Sequence, residues 1–120
     1  MPIVAREDQT KGGKHVVRCQ VSGQVSGQDA LGLLEQSKEL AKRIGTKGDL
    51  LCNVAAGTEY SPESRRIFTK EFTPYTRRTS VVVTSKLVRA AINFMMRMSM
   101  RNTELKCFDD EPSAMAWLDE

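Results

Sequence analysis

The pattern of apolar and polar positions changes its period several times along the chain. Two β-branched runs, residues 3–6 and 15–21, flank the glycine pair Gly12-Gly13, and this pattern predicts a β-hairpin. Further along, nearly continuous apolar runs alternate with segments in which apolar residues recur every three or four positions. The runs are typical of strands that are covered on both faces, and the periodic segments are typical of amphipathic helices.

Helix start signals place four helices between the later strands. Ser26 precedes the first helix, Ser61 with the following proline precedes the second, Thr84-Ser85 precedes a long third helix that runs to about residue 101, and Asp110 precedes the last. The strands between them are predicted at residues 50–56, 79–83 and 104–108. This β-β-α-β-α-β-α-β-α order predicts a single α/β domain over residues 1–120. Its mostly parallel sheet would have about five strands with an antiparallel edge hairpin, together with four helices.

The third predicted helix has a wider apolar side than a sheet can cover. At 100° per residue its polar side chains fall within an arc of about 120°. These residues are Lys86, Arg89, Asn93, Arg97 and Arg101. The opposite arc of about 200° is apolar except for Ser99. Because a helix on a sheet usually needs an apolar stripe of about 100°, the surplus must be covered by something else.

Three kinds of cover are consistent with this pattern. Another helix of the same chain would bury the surplus, for example the closing helix with Trp117. A protein partner, including a second copy of the chain in a homodimer, would also do so, and so would an apolar ligand. The candidate interaction surface consists of Val88, Ile92, Met95, Met96 and Ser99. The sequence leaves the three alternatives open.

A second candidate site lies beyond the carboxyl ends of the parallel strands, where open α/β sheets usually bind ligands. Its residues are Thr58, Tyr60, Ser61, Thr84, Ser85, Lys86 and Arg89. Hydroxyl groups, a lysine and two helix N termini would hold a phosphate, a nucleotide or a carboxylate there. In the alternative interpretation the serines only cap helices, while Lys86 and Arg89 are solvated.

Composition and charge narrow the partner class only slightly. The chain has 120 residues, of which 40% are hydrophobic and 28% charged, as in ordinary globular proteins. Its net charge of +3 is unevenly distributed, because residues 61–106 carry +7 and residues 107–120 carry −5. The basic segment either attracts an anionic partner or pairs with the acidic end. Its arginine pairs, Arg65-Arg66 and Arg77-Arg78, match no nucleic-acid-binding motif, so we expect no nucleic-acid partner.

Residues for catalysis or metal binding are not grouped in the sequence. Cys19, Cys52 and Cys107 lie far apart and His15 is the single histidine, so no metal-ligand spacing occurs. We expect buried reduced thiols, no catalytic residues, no enzyme activity and neither metal nor cofactor. Residues 81–100 are interrupted by charges and no signal peptide precedes them, so we expect no transmembrane segment and a cytoplasmic location.

Three phrases carry a family resemblance. They are VRCQVSG at residues 17–23, TSVVVTS at residues 79–85 and CFDDEPSAMAWL at residues 107–118. Together with the order of elements, they resemble the STAS-domain family, and more narrowly its stand-alone bacterial SpoIIAA-like branch, which is similar to anti-sigma-factor antagonists. The resemblance spans nearly the whole chain and implies the fold, but it assigns no chemistry. We therefore expect a non-catalytic binding domain, a protein-interaction or regulatory module that acts through the helix of residues 86–101 and through its own dimerisation.

The resemblance also directs attention to one serine. Anti-sigma-factor antagonists carry a phosphorylatable serine in an Asp-Ser-Ser-Gly-type phrase where the third strand meets the second helix. Residues 57–64 read GTEYSPES at that junction, so the phrase is absent and Ser61 is the nearest candidate for phosphorylation. The STAS fold is also similar to the lipid-binding CRAL-TRIO fold. The alternative function is therefore a carrier or sensor of a small apolar or anionic ligand.

Overall fold

The computed structural model describes residues 2–99 and 104–120, except for the side chains of Met95, Met96, Met98 and Ser99. The strands are β1 (Ile3–Gln9), β2 (His15–Val21), β3 (Gln24–Val25), β4 (Gly48–Val54), β5 (Glu59–Tyr60), β6 (Thr76–Val82) and β7 (Glu104–Phe108). The helices are α1 (Gly27–Ile44), α2 (Pro62–Lys70), α3 (Lys86–Ser99) and α4 (Glu111–Leu118). The predicted order of elements is confirmed, with β3 and β5 as short additions.

Five strands form the main sheet in the order β1-β2-β4-β6-β7. β1 pairs with β2 antiparallel, and the other neighbouring strands are parallel. This sheet confirms the predicted mostly parallel architecture with an antiparallel edge hairpin. The sequence pattern did not predict that β3 and β5 form a separate parallel pair of two residues each.

The order of strands determines where the helices lie. From β2 to β4, β6 and β7, every connection steps to the next strand in the same direction. Because such crossovers are right-handed, α1, α2 and α3 lie on one face of the sheet. α4 follows the last strand, forms no crossover and lies on the opposite face, where Ala114 and Leu118 pack with Val16 and Leu51.

Successive side chains of a strand point to opposite faces of the sheet, so both faces carry an apolar core. On the face of α1, α2 and α3, the main apolar layer includes Val17, Cys19, Val21, Leu50, Cys52, Val54 and Val81. Neighbouring positions such as Val16 and Leu51 point to the α4 face. The sheet is therefore covered by three helices on one side and by a single short helix on the other.

Caps fix the helix starts where the sequence predicted them. The hydroxyl of Ser26 accepts a hydrogen bond from the backbone N–H of Asp29, and the Asp29 carboxylate accepts one from the N–H of Ser26. Gly45 ends α1 with a φ of 79°, a left-handed conformation that favours glycine. Ser61 and Ser85 lie immediately before α2 and α3. These caps orient the starts of two helices at the carboxyl edge of the sheet.

Candidate functional site

The first turn of α3 is held by Ser85. Its hydroxyl accepts a hydrogen bond from the backbone N–H of Val88 at 3.3 Å, and its carbonyl accepts one from the N–H of Arg89 at 2.9 Å. The serine therefore acts as a helix cap, which satisfies donors that the first turn would otherwise leave free. The cap fixes where the helix begins and, with it, which side chains meet the sheet.

The inner flank of α3 is buried against the sheet. Val88 is 6% exposed and Ile92 is 3% exposed, and both belong to the main core. This placement corrects the expected interaction surface, because neither side chain is available to a partner. The side chains of the other expected members, Met95, Met96 and Ser99, lie outside the described part of the structure.

A second flank of α3 faces the edge strand β7. The guanidinium of Arg89 donates to the carbonyl of Val83 and to the Asp109 carboxylate, both at 2.7 Å. One turn further on, the thiol of Cys107 lies 3.7 Å from the side-chain oxygen of Asn93. Partial burial raises the pKa of the Cys107 thiol, although nearby Arg89 opposes that shift. These contacts fix the rotation of the helix about its own axis.

The third flank of α3 faces solvent and is apolar. Leu87 is 83% exposed and Phe94 is 67% exposed, and the two alanines between them are also exposed. Leu87, Ala90, Ala91 and Phe94 follow the spacing i, i+3, i+4 and i+7, which places them on one side of the helix. We call these four residues the outer stripe. On the helical wheel, the exposed Lys86 and Arg97 border the stripe on the side of β7.

The closing helix does not cover the outer stripe. The sequence allows α4 with Trp117 as a cover for α3, but α4 packs on the opposite face of the sheet. Trp117 instead lies 5.8 Å from the ring of Phe108 and 4.9 Å from the guanidinium of Arg78. The surplus apolar surface of α3 predicted from the sequence is therefore present, on the flank of Leu87 and Phe94.

At the carboxyl edge of the sheet, three of the predicted ligand-binding residues serve the fold. The hydroxyl of Thr58 donates to the carbonyl of Ala55 at 2.7 Å and is buried. The ring of Tyr60 packs edge-on against Phe68 at 5.7 Å, and burial raises the pKa of its phenol. The Ser61 hydroxyl accepts from the N–H of Ser64 at 3.0 Å and caps α2.

The remaining residues of this predicted site are divided between structure and solvent. Ser85 caps α3, and Arg89 is held by Asp109 and a backbone carbonyl. Thr84 and Lys86 are exposed. The structure therefore brings these residues to one edge of the sheet, but most of their polar groups already have partners within the chain.

Two thiols that are distant in sequence meet in the core. Cys19 and Cys52 are paired in register on β2 and β4, with their sulfur atoms 3.2 Å apart and no disulfide bond between them. The contact with Cys52, together with burial, raises the pKa of the Cys19 thiol well above its usual range. Among residues 2–99 and 104–120, no three histidine, cysteine or acidic side chains are grouped to hold a metal ion.

The basic pair Arg77-Arg78 is used inside the fold. Arg77 binds the buried carboxylate of Asp49 through two hydrogen bonds of 3.0 and 2.9 Å and donates to the Leu118 carbonyl at 2.6 Å. Arg78 donates to the Trp117 carbonyl at 2.8 Å and to Glu104 at 2.7 Å. Both arginines therefore hold α4 on the sheet and contribute little free charge to the surface.

The family model described as a domain of unknown function, DUF7793, matches residues 16–120. The chain belongs to the DUF7793 family. No curated protein matches the sequence.

A solved structure supports the fold of this DUF7793 chain. It is an uncharacterised protein of the DUF3478 family with a SpoIIAA-like fold, from Shewanella loihica PV-4. The two are 15% identical, the TM-score is 0.71, and the match covers 97% of this chain and 93% of the other. The likeness confirms the expected SpoIIAA-like fold, and at this identity it concerns the fold alone.

Two further features of the DUF7793 chain concern its helices and a groove on its surface. No helix within the described residues has the length and apolar character needed to cross a membrane. An open groove of about 720 Å³ lies between the end of α1 and the loop before β6, where Lys38, Lys42 and Glu35 mix with Tyr75. This groove is at the end of the sheet opposite to the predicted ligand site.

The residues of the outer stripe were only partly recognisable from the sequence. Leu87 and Phe94 were part of the wide apolar arc. The arc contains two apolar flanks, however, and sequence periodicity cannot tell which of them is buried and which is exposed. Their separation of seven residues with two alanines between them is the signal that distinguishes this flank. It becomes informative once the contacts of Val88, Ile92 and Arg89 show how the helix is rotated.

Proposed function

We propose that this DUF7793 domain is a non-catalytic protein-interaction module that binds its partner through the outer stripe of α3. The proposal depends on one observation, the exposure of Leu87 and Phe94 on one side of a helix whose other two flanks are occupied. Single exposed apolar side chains are common, but two large ones aligned along a helix form a patch.

The size of the patch favours a transient interaction. Leu87 and Phe94 together expose roughly 300 Å², since they are 83% and 67% exposed and a fully exposed side chain of this size presents on the order of 200 Å². Burying that area contributes about 7 kcal/mol at about 25 cal/mol per Å². Association costs on the order of 4–15 kcal/mol in lost freedom, so the stripe alone supports weak, reversible binding. Reversible binding suits a regulatory module.

The rigidity of α3 supports the same proposal. Val88 and Ile92 anchor the helix in the core, while Arg89 ties its first turn to Asp109 and to the backbone of β6's exit segment. A stripe on such a helix is preorganised, so little conformational entropy is lost when a partner binds. The anionic-ligand alternative has no comparable support, because most polar groups of the predicted anion site already have partners in the chain.

Photo-crosslinking in the producing cells tests the proposal. A benzophenone amino acid replaces Leu87 or Phe94 in the full chain, and a matched variant carries it at Leu31, an exposed leucine on α1. We expect discrete protein adducts from positions 87 and 94 after irradiation and none of the same mass from position 31. The absence of adducts that are specific to positions 87 and 94 would refute the proposed function.

A further inference from the structure

The outer stripe has the shape of a notch. Its two large side chains, Leu87 and Phe94, are seven residues apart, which is about 10 Å along the helix axis at about 1.5 Å per residue. The exposed residues between them are Ala90 and Ala91, whose side chains are single methyl groups. Packed helices lie about 8–10 Å apart, and small side chains at the crossing point allow the closest approach. One apolar side chain of a helix that crosses α3 therefore fits as a knob between the two large side chains, over the alanines.

The charge beside the notch has one sign. Lys86 and Arg97 are exposed along the border of the stripe, and α3 contains no acidic residue. The third basic side chain, Arg89, is neutralised by Asp109 on the flank that faces β7. Among the described residues neither Lys86 nor Arg97 has an ion-pair partner, so a partner protein that approaches the notch meets positive charge along one edge. Acidic side chains on that edge of the partner would complement it.

A second copy of the chain fits this surface poorly. A twofold pairing of α3 with α3 brings the Lys86 end of one copy towards the Arg97 end of the other, and neither helix supplies an acidic residue. The charge therefore favours a different protein over a second copy of the chain.

We infer that the outer stripe receives an amphipathic helix of another protein, with small or medium apolar residues facing Ala90 and Ala91 and an acidic flank beside Lys86 and Arg97. This inference rests on the proposed function and names the partner class of the same surface. Its apolar anchors would follow an i, i+3 or i+4, i+7 spacing, which is how a helix presents one side to a groove.

The adducts obtained from positions 87 and 94 are sequenced to test it. A crossing helix requires both positions to react with one partner segment, whose sequence has amphipathic helical spacing and a net negative charge. Adducts with residues of this same chain, with lipid, or with a basic or extended segment would overturn the inference. Those outcomes differ from failure of the proposed function, in which no position-specific protein adduct forms at all.

Affinity for the crosslinked segment, made as a synthetic fluorescent peptide, tests the notch and the charge separately. Ala91→Leu adds apolar surface but fills the notch, so we expect at least a tenfold loss of affinity, whereas Ala116→Leu on the exposed side of α4 has no effect. Unchanged or tighter binding by Ala91→Leu would mean a flat contact and would overturn the inference.

For the charge, the double variant Lys86→Glu/Arg97→Glu is compared with Lys42→Glu, an exposed lysine on α1. We expect about a tenfold weaker complex for the double variant and a small change for the control. Wild-type binding should weaken as salt is raised, because exposed opposite charges are screened. Tighter binding by the double variant, or wild-type binding that strengthens with salt, would exclude an acidic flank.

Discussion

α3 and α4 both follow a strand and pack on the same sheet, but they use their surfaces differently. In α4, Ala114 and Leu118 are fully buried, and arginines of β6 bind the carbonyls of Trp117 and Leu118 at its C-terminal end. In α3, one flank is buried and one is tied to β7, while Leu87 and Phe94 remain in solvent. The buried residues of α4 thus serve the fold, whereas α3 combines a structural side with an exposed apolar side.

The difference teaches how to separate structural from functional apolar residues in a small α/β domain. Residues of either helix that face the sheet should contribute to the free energy of unfolding, and residues of the outer stripe should contribute almost nothing to it. If an apolar side chain can be removed without lowering the free energy of unfolding of the isolated domain, the fold does not need it. Such a side chain is then available to bind a partner. Substitutions in α3, in α4 and in the attachments of α4 to the sheet test this division, and the cap of α2 adds a reference for a purely local contribution to stability.

The same substitution in the two helices should have very different consequences. Leu118→Ala removes a side chain with 0% exposure and leaves a cavity, so we expect a loss of about 3 kcal/mol in the free energy of unfolding. Leu87→Ala removes a side chain that is 83% exposed and should change stability by less than about 0.5 kcal/mol. Urea denaturation of both variants measures the difference. Equal destabilisation would contradict the division between the helices.

The ionic attachment of α4 should be the next largest contribution. Asp49→Asn weakens the paired hydrogen bonds from Arg77 and leaves that arginine without its buried counter-ion. We expect a loss of about 2–3 kcal/mol in the free energy of unfolding, because the charge that remains when a buried ion pair is broken has lost its counter-ion. Glu35→Gln, which breaks the exposed pair with Lys38, serves as the control and should cost less than about 0.5 kcal/mol.

The serine at the start of α2 should behave as a cap. Ser61→Ala removes the oxygen that accepts from the N–H of Ser64, so we expect a loss of about 1 kcal/mol in the free energy of unfolding. Ser61→Asp keeps an acceptor at the cap and should restore most of that stability. Thermal unfolding followed by circular dichroism distinguishes the variants. If Ser61→Ala were as stable as the wild type, the hydroxyl would not be needed by the fold.

The pH dependence of α4 should give the smallest effect. Arg18 donates to Glu111 at 2.6 Å, and this contact, with a further hydrogen bond from Asn53, lowers the pKa of Glu111 below its ordinary 4.5. A lowered folded-state pKa stabilises the protein above the unfolded-state pKa, and the stabilisation is lost as the pH falls through the folded-state value. Glu111 is 39% exposed, so screening limits the contribution to about 0.5–1 kcal/mol.

Comparison of Glu111→Gln with the wild type measures this contribution by urea denaturation between pH 7 and pH 3. We expect the wild type to be more stable at pH 7 and the difference to shrink once the pH falls below about 4.5. The Arg18→Lys variant keeps a positive charge beside Glu111, so part of the stability that depends on ionised Glu111 should remain. A stability difference that is the same at pH 3 and pH 7 would show that ionisation of Glu111 is not its source.

Much of the fold was predictable because local signals agree with the final structure. Ser26, Ser61 and Ser85 cap helices where the sequence places them, and the strand–helix alternation allowed only a mostly parallel sheet with a hairpin at one edge. The short β3–β5 pair was not predicted, since two-residue strands have no recognisable period. Strand ends were also shifted, as at β6, which begins at Thr76 rather than residue 79.

The candidate site was predictable only in part. The width of the apolar arc on α3 is a property of the sequence, and it correctly indicated more apolar surface than the sheet covers. Val88 and Ile92 were assigned to the surface, but they lie in the core, because the contacts of Arg89 with Asp109 and Val83 fix the rotation of the helix. Such contacts join residues that the sequence separates by up to 20 positions.

The sequence by itself determined the order of elements, the caps and the amount of apolar surface on each helix, because these depend on neighbouring residues and on periods of two or 3.6 residues. Tertiary structure decided which face α4 covers, which flank of α3 remains exposed and which thiols meet in the core. Those outcomes depend on strand order and on side chains brought together from distant parts of the chain. Leu87 and Phe94 are therefore apolar by sequence and exposed only by the way the chain folds.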